Sequence, residues 1–360
     1  MTTAIATWFV ADTKDDASRF AQVAGNSAAP EFQLVYWRCV AVFFATSKIH
    51  NPTAKHVFFT NAQLPVVDGT DFGELFSKLR VQVITLPITF RLPKDVSDSW
   101  GNQFYILDVI RYLAEHRLAD SYIVLDCDCV WTAAADPIVA MIADKSCLLY
   151  TLGHEAYPLR QKINGVTRQE MALLEAEVFG DTTFNKELGI HYHGGEIFAA
   201  THEACADINQ DIDRLWAQRQ IAQTGASGYL EEAHFLSIIY KHRKYEPYTA
   251  NFFIKRIWTM LRYNTVLKED MSLPIWHLPA EKVSGFRRAY RLIVEDARTQ
   301  DPAALNTMLK RIMGIPRRSV DNYISDLAST LKNKLLQRPR NARAARARRN
   351  PQRVWRQGLR

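Results

Sequence analysis

Short apolar runs, each separated from the next by a longer helical segment, constrain this chain most. The runs are Ala4–Val10 (AIATWFV), His56–Thr60 (HVFFT), Val81–Leu86 (VQVITL) and Tyr122–Leu125 (YIVL). All are rich in β-branched and aromatic residues, which suits strands buried on both faces. Between them, Phe32–Ile49 is apolar enough for a buried helix that Asn51-Pro52 stops. Phe72–Leu79 is a shorter helix. Asn102–His116 carries Phe104, Leu107, Ile110 and Leu113 at helical spacing. The first 131 residues therefore read β-α-β-α-β-α-β. This α/β pattern predicts a mostly parallel sheet flanked by helices, with ligands at the strands' carboxyl ends.

The fourth strand runs into Asp126-Cys127-Asp128. On an extended chain, residues two apart point the same way, so both carboxylates leave the strand end side by side. Like charges that close require a cation or a shared proton between them. Mg²⁺ and Mn²⁺ prefer carboxylate oxygen, and bind such groups together with substrate phosphates. The bland alternative, a solvated loop, suits an isolated Asp-x-Asp better than one following a buried strand. A zinc site from His191, His193, Cys127 and Cys129 lacks the close-paired ligand spacing, so the two cysteines read as spacers.

Further along, Cys147–Leu152 reads as a strand and Arg168–Val178 as a helix. Ile190–Thr201 is strand-like and contains Gly194-Gly195. These glycines either let another group approach the backbone closely or form a β-bulge. Glu196 either bonds a ligand's hydroxyls or faces water. Ala204–Gln223 and Gly228–Lys244 are helical, and Tyr245–Arg262 is expected to be extended. Met271–Lys282 is a Pro-bounded strand or loop, and Pro302–Met313 and Val320–Leu336 are amphipathic helices. Glu231 and Glu232 open a helix, where their charge favours the N-terminus. One of them is alternatively a general base. Asp12 and Thr13 follow the first strand, where a nucleotide base or ribose lies in such a sheet. Asn102 and Gln103 either reach that nucleotide or cap the helix.

Several of these segments together carry a family resemblance. YIVLDCDCVW followed by Asp136-Pro137 resembles the Asp-x-Asp segment of GT-A glycosyltransferases. His193-Gly-Gly-Glu196 before IFAA resembles the strand that lines their donor-sugar pocket, although an Asn-x-Gly is expected there. Glu231-Glu232 resembles the acidic pair beneath the acceptor. Trp276-His277-Leu278 with Lys282 resembles a late His-x-x-Gly-x-x-Lys segment, with Ala280 in place of the glycine.

The resemblance implies a GT-A catalytic domain over 1–290, with a nucleotide-binding half (1–131) and a sugar and acceptor half (132–290). C-terminal helices (291–337) and an Arg-rich tail (338–360) follow. It implies Mn²⁺ or Mg²⁺ on Asp126, Asp128 and His277, and Lys282 against the diphosphate of a nucleotide-sugar donor, expected to be a UDP-sugar. Gly194 to Glu196 would line the sugar pocket, and the acceptor would be a glycan or glycolipid. If the reaction inverts, Glu231 or Glu232 is the base. If it retains configuration, Glu196 or a backbone group faces the anomeric carbon. His277 as a core histidine stays open beside this.

Composition narrows the setting. Five scattered cysteines form no disulfide framework, which fits a reducing, cytoplasmic protein. No apolar run approaches the ~18 residues of a membrane span, and the start lacks the basic region of a signal peptide. The +7 net charge is local: Arg338–Arg360 holds nine arginines and no acid, leaving the remainder near neutral and slightly acidic. That distribution disfavours a nucleic-acid-binding body. The tail suits an anionic membrane surface, with RNA binding or a solubilising role as alternatives. Two other functions compete. Apolar strand plus D-x-D also resembles the first motif of haloacid-dehalogenase-type phosphatases, whose first Asp is a nucleophile, but three strands precede it here. A non-enzymatic basic-tailed membrane or nucleic-acid adaptor is the other.

Overall fold

The computed structural model describes residues 1–327, apart from 16, 18–22, 24, 92–101, 154–156, 181–188, 223–230, 261, 296–300, 319, 321–322 and 325–326. The expected helix over Val320–Leu336 lies mostly outside the described residues, and the tail Arg338–Arg360 lies wholly outside them.

The first half follows the expected alternation. Strand β1 (Thr3–Phe9) leads to helix α1 (Pro30–His50), then β2 (Lys55–Thr60). The short ribbon β3 (Val66–Val67) and β4 (Thr70–Asp71) precedes α2 (Phe72–Leu79) and β5 (Val81–Thr85). Helix α3 (Tyr105–Glu115) then feeds β6 (Ser121–Leu125). Proline starts α1 at a position that needs no N–H donor, and Asn51 closes it, its Oδ1 also accepting from the Ala135 amide at 2.7 Å.

After β6 come β7 (Cys129–Trp131), α4 (Asp136–Lys145), β8 (Cys147–Leu148), α5 (Arg168–Phe179), β9 (Ile197–Thr201) and α6 (His202–Ala222). Helix α7 (Glu232–His242), β10 (Ile254–Arg256), β11 (Ile275–His277), α8 (Gly285–Glu295) and α9 (Pro302–Met313) complete the chain.

The main sheet has the order β5-β2-β1-β6-β9-β8. Strands β5, β2, β1 and β6 are parallel; β9 runs antiparallel to β6, and β8 antiparallel to β9. Alternation along the strands divides the core between the two faces. Ile5, Phe58, Ile123 and Leu125 pack with α1 on one side, while Ala4, Val57, Phe59, Tyr122 and Val124 pack with α3 and α6 on the other. Because both faces are covered, β6 is buried at every residue. Phe286 and Tyr290 of α8 and Leu305 and Leu309 of α9 join the α1 face. Helix α8 crosses residue 290, so the C-terminal helices share the core of the preceding residues. No helix among the described residues is long and apolar enough to cross a membrane, and all five cysteines are buried and free.

Several expected segments are shorter than the sequence suggests. Only Cys147–Leu148 of Cys147–Leu152 is a strand, and only Ile197–Thr201 of Ile190–Thr201; Thr151 and His193 form an isolated bridge instead. Gly194 and Gly195 thus precede the strand rather than bulge within it. Of 245–262, residues 247–253 are turns, and the strand among the described residues is β10. The strand β7, unforeseen, pairs antiparallel with β11, which pairs parallel with β10. This second small sheet sits just past the carboxyl end of β6 and shapes the site.

Candidate active site

Register brings the charged groups together. In the small sheet, Arg256 lies beside His277, and His277 beside Cys129, so the residue before Cys129, Asp128, meets the imidazole. In the main sheet Leu125 lies opposite Ile197, which sets the next residue on one strand, Asp126, beside the previous one on the other, Glu196. Their backbones bond accordingly: the Asp126 N–H donates to the Glu196 carbonyl at 3.1 Å, and the Leu278 N–H to the Asp128 carbonyl at 3.0 Å. Asp126 and Asp128 are not on an extended chain. The Cys129 N–H donates back to the Asp126 carbonyl at 3.2 Å, closing a tight turn.

The carboxylates still converge. One ligand atom from each of Asp126, Asp128 and His277 lies within 4.8 Å of the others. His277 Nε2 is 3.1 Å from Asp128 Oδ2 and 3.5 Å from Asp126 Oδ2, and Lys282 Nζ is 2.8 Å from Asp128 Oδ2. The expected cation between the two acids is thus present as protein charge. Burial alone would raise Asp128, but Lys282 and His277 hold it well below the carboxylate range. Asp126, whose burial dominates, is pushed up to about 6, with the Asp128 charge adding and His277 opposing. Burial opposes protonation of His277, yet Asp128 and Glu196 raise it to about 9.

Two carboxylates and one imidazole nitrogen form a donor set suited to a hard or borderline divalent cation. To bind one, Nε2 must lose its proton. The Nδ1 atom faces Glu196 Oε1 at 3.4 Å, the kind of outer carboxylate that fixes ring orientation at metal-binding histidines.

Glu196 departs from the sequence expectation. It is buried and accepts from Arg256 twice, Nε to Oε1 and Nη2 to Oε2, each at 2.7 Å. Against the effect of burial, Arg256 and His277 lower it to about 2. Glu196 is not among the residues that line the cavity, and it backs His277 at Nδ1. The glycines serve carboxylates as well. A Cβ on Gly194 would stand 2.1 Å from Glu196 Oε2, and one on Gly195 would stand 2.7 Å from Glu232 Oε1. Only Gly195 of the pair lines the cavity.

The cavity is roughly 270 Å³ and has a second acidic wall. Glu231 sits at the N-cap of α7 and accepts from Tyr192 Oη and from Asn164 Nδ2, the latter at 2.6 Å. Glu232 lines the same cavity, with its shielded Oε2 lacking a hydrogen-bond partner. Burial raises both acids, and Glu231 and Asp126 push Glu232 higher still. Trp8, Asn102 and Gln103 line the cavity near the end of β1. Asn102 Nδ2 donates to Asp12 Oδ1 at 3.1 Å, and Asp12 also accepts from Ser27. Asp12 is buried behind the wall and Thr13 is exposed, and neither lines the cavity.

The site also includes residues outside the motifs named from the sequence: Arg256, Tyr36, Tyr192, Asn164 and Trp258. Arg256 left one legible sign, a charge inside the apolar run FFIKRIW. Lys282 lies over the Tyr36 ring at 5.6 Å, and burial raises that phenol well beyond its usual range. Among the described residues, the Asp-Asp-His group is the only cluster of metal-ligand type, and His193 bonds Thr151 Oγ1 at 2.9 Å instead.

No protein-family model matches the chain, and no curated protein matches it. Among solved structures it is similar to the galactosyltransferase LgtC in complex with donor and acceptor sugar analogs. Identity is 11%, 81% of this chain and 95% of that chain are covered, and the TM-score is 0.48. An active-site mutant of LgtC is similar at 12% identity, the same coverage and a TM-score of 0.47. The apo-form glycosyltransferase GlyE of Streptococcus pneumoniae is similar at 11% identity, over 77% of this chain and 54% of that one, with a TM-score of 0.38. At these identities and scores the functional reading has to come from the site's own residues.

Proposed function

We propose that the chain is a metal-dependent glycosyltransferase of the GT-A type, moving a sugar from a nucleotide-diphosphate donor, a UDP-sugar, to a glycan or glycolipid acceptor. One observation carries the reading: Asp126, Asp128 and His277 converge within 4.8 Å at the carboxyl end of a buried strand, with Lys282 at 2.8 Å. A divalent cation held there would neutralise a departing diphosphate as a Lewis acid. Mn²⁺ or Mg²⁺ suits the oxygen-rich set.

The chain's own residues do the remainder. Lys282 supplies fixed positive charge beside the same diphosphate, and Glu196 keeps the His277 ring turned toward the two aspartates. Asn102 and Gln103, at the end of β1, meet the nucleoside, with Asp12 holding Asn102 from behind. In an inverting transfer the acceptor hydroxyl oxygen bonds to the anomeric carbon as the bond to diphosphate breaks, and the hydroxyl proton passes to a carboxylate. Glu232 is the better of the two candidates, because Tyr192 and Asn164 occupy both Glu231 oxygens. Its raised pKa is in the direction a general base requires. In a retaining transfer no base is needed, and a backbone group near Gly195 faces the anomeric carbon.

Release of UDP from a panel of UDP-sugars, with and without Mn²⁺, tests the reading. Mn²⁺-dependent hydrolysis of at least one donor, lost in Asp128→Asn, is expected. Turnover of para-nitrophenyl phosphate that disappears in Asp126→Asn, with no UDP release, would replace it with the phosphatase reading. The proposal extends to the tail: Arg338–Arg360 docks the enzyme on anionic lipid, each basic residue contributing about 1 kcal/mol near the surface. Full-length protein should then co-sediment with phosphatidylserine liposomes and the 1–337 form should not; equal sedimentation removes this element alone.

A further inference from the structure

The loop after β10 builds a second feature at the same cavity. Thr259 and Asn264 form an antiparallel bridge. Beside it, the Trp258 N–H donates to Thr265 Oγ1 at 3.0 Å and the Thr265 N–H to the Trp258 carbonyl at 2.9 Å. This is a clamped hairpin, and side chains alternate across it. Thr259 points inward: it is fully buried and donates to Glu281 Oε1 at 2.5 Å, while Arg318 bonds its carbonyl. Trp258 and Tyr263 share the other face, their rings 5.7 Å apart. Trp258 lines the cavity, and Tyr263 is 54% exposed. Lys255 holds the base of the hairpin through the Thr265 carbonyl and Asp270, all at 2.9 Å.

Trp258, half-buried, and Tyr263, exposed, belong to neither core cluster, and Trp258 lines the same cavity as Glu232. A flat apolar surface next to carboxylate acceptors matches a sugar ring, whose C–H face stacks while its hydroxyls donate hydrogen bonds. We propose that the Trp258–Tyr263 face is the acceptor subsite, and that it binds the terminal ring of a saccharide. This inference rests on the glycosyltransferase reading and deepens it, since it names the residues that would hold the glycan end of the acceptor.

Saturation-transfer NMR with lactose, maltose and cellobiose, each added to protein carrying UDP and Mn²⁺, tests the assignment. UDP titrations are run on the same samples. At least one disaccharide should bind the wild type, with the protons of one ring face saturated most strongly. Tyr263→Ala, an exposed change that leaves the hairpin backbone intact, should weaken that disaccharide about threefold or more, and Trp258→Ala about tenfold or more. UDP affinity should stay within about twofold in both. Disaccharide binding unchanged in both variants, or no disaccharide bound by the wild type, overturns the subsite while leaving donor chemistry intact. Loss of UDP binding in Trp258→Ala gives the ring to the nucleobase and overturns it too. Absence of UDP binding in the wild type is a separate failure, that of the underlying function.

Discussion

Asp126 and Asp128 meet the cavity beside His277 and Lys282, whereas Glu231 meets it beside the neutral donors Tyr192 and Asn164 and next to Glu232. The first pair is compensated by positive charge, which holds Asp128 ionised despite burial. The second pair is compensated only weakly, by Arg256, so burial keeps both glutamates raised toward their protonated forms. Four acids of one chemical kind therefore have different tasks at neutral pH. One pair is organised to hold a cation, and the other to exchange a proton or a hydrogen bond. The same isosteric change, carboxylate to amide, should have opposite effects on stability in the two places.

Asp128→Asn should show the largest effect. It leaves Lys282 and the His277 imidazolium buried beside a neutral amide, at a cost of about 3–5 kcal/mol in denaturant unfolding. A loss below about 1 kcal/mol would mean that the two cations do not depend on Asp128. Glu196→Gln comes next, because it keeps the shape of the bidentate contact but removes the charge facing Arg256. We expect about 2–4 kcal/mol by the same measurement, together with weaker Mn²⁺ binding as the His277 ring loses its outer carboxylate.

Glu232→Gln should go the other way and stabilise the protein by about 1–2 kcal/mol at pH 7.5 while reducing transfer at least tenfold. The pH dependence follows from the sign of its shift. A carboxyl raised on folding retains a proton that the unfolded chain has lost, so its cost is absent below the unfolded value and grows as pH rises above it. The gap in melting temperature between variant and wild type should thus widen from pH 5 to pH 7.5. A gap that narrows over that range would contradict the raised state. Gly195→Ala should have the smallest effect on stability, because the atom in the way is the far end of one side chain. Its Cβ would displace the Glu232 carboxylate from 2.7 Å. Loss of transfer with melting within a few degrees of wild type is expected, and full activity would separate Glu232 from the chemistry.

The sheet and the first acidic pair were legible because both are local. Apolar runs of strand length, helical spacing between them, and Asp126-Cys127-Asp128 directly after YIVL are all read within a few residues. The Glu196–Arg256 pair was not legible, because Arg256 lies 60 positions away and meets Glu196 through strand pairing that leaves no periodic mark. Gly194 and Gly195 signalled a close approach to the backbone, and in the structure carboxylates of Glu196 and Glu232 make one. The strand β7 escaped notice because its three residues gain their partner only from β11, more than a hundred positions later. Trp258 and Tyr263 were two aromatics among many until the hairpin set them on one face.

The charge-compensated pair is the centre of the proposed function, and calorimetric titration of UDP into the protein with and without Mn²⁺ tests it most directly. Binding that requires Mn²⁺ and vanishes in Asp128→Asn is predicted. UDP binding of equal strength without metal, or undiminished in Asp128→Asn, would contradict the assignment of Asp126, Asp128 and His277 as the cation site.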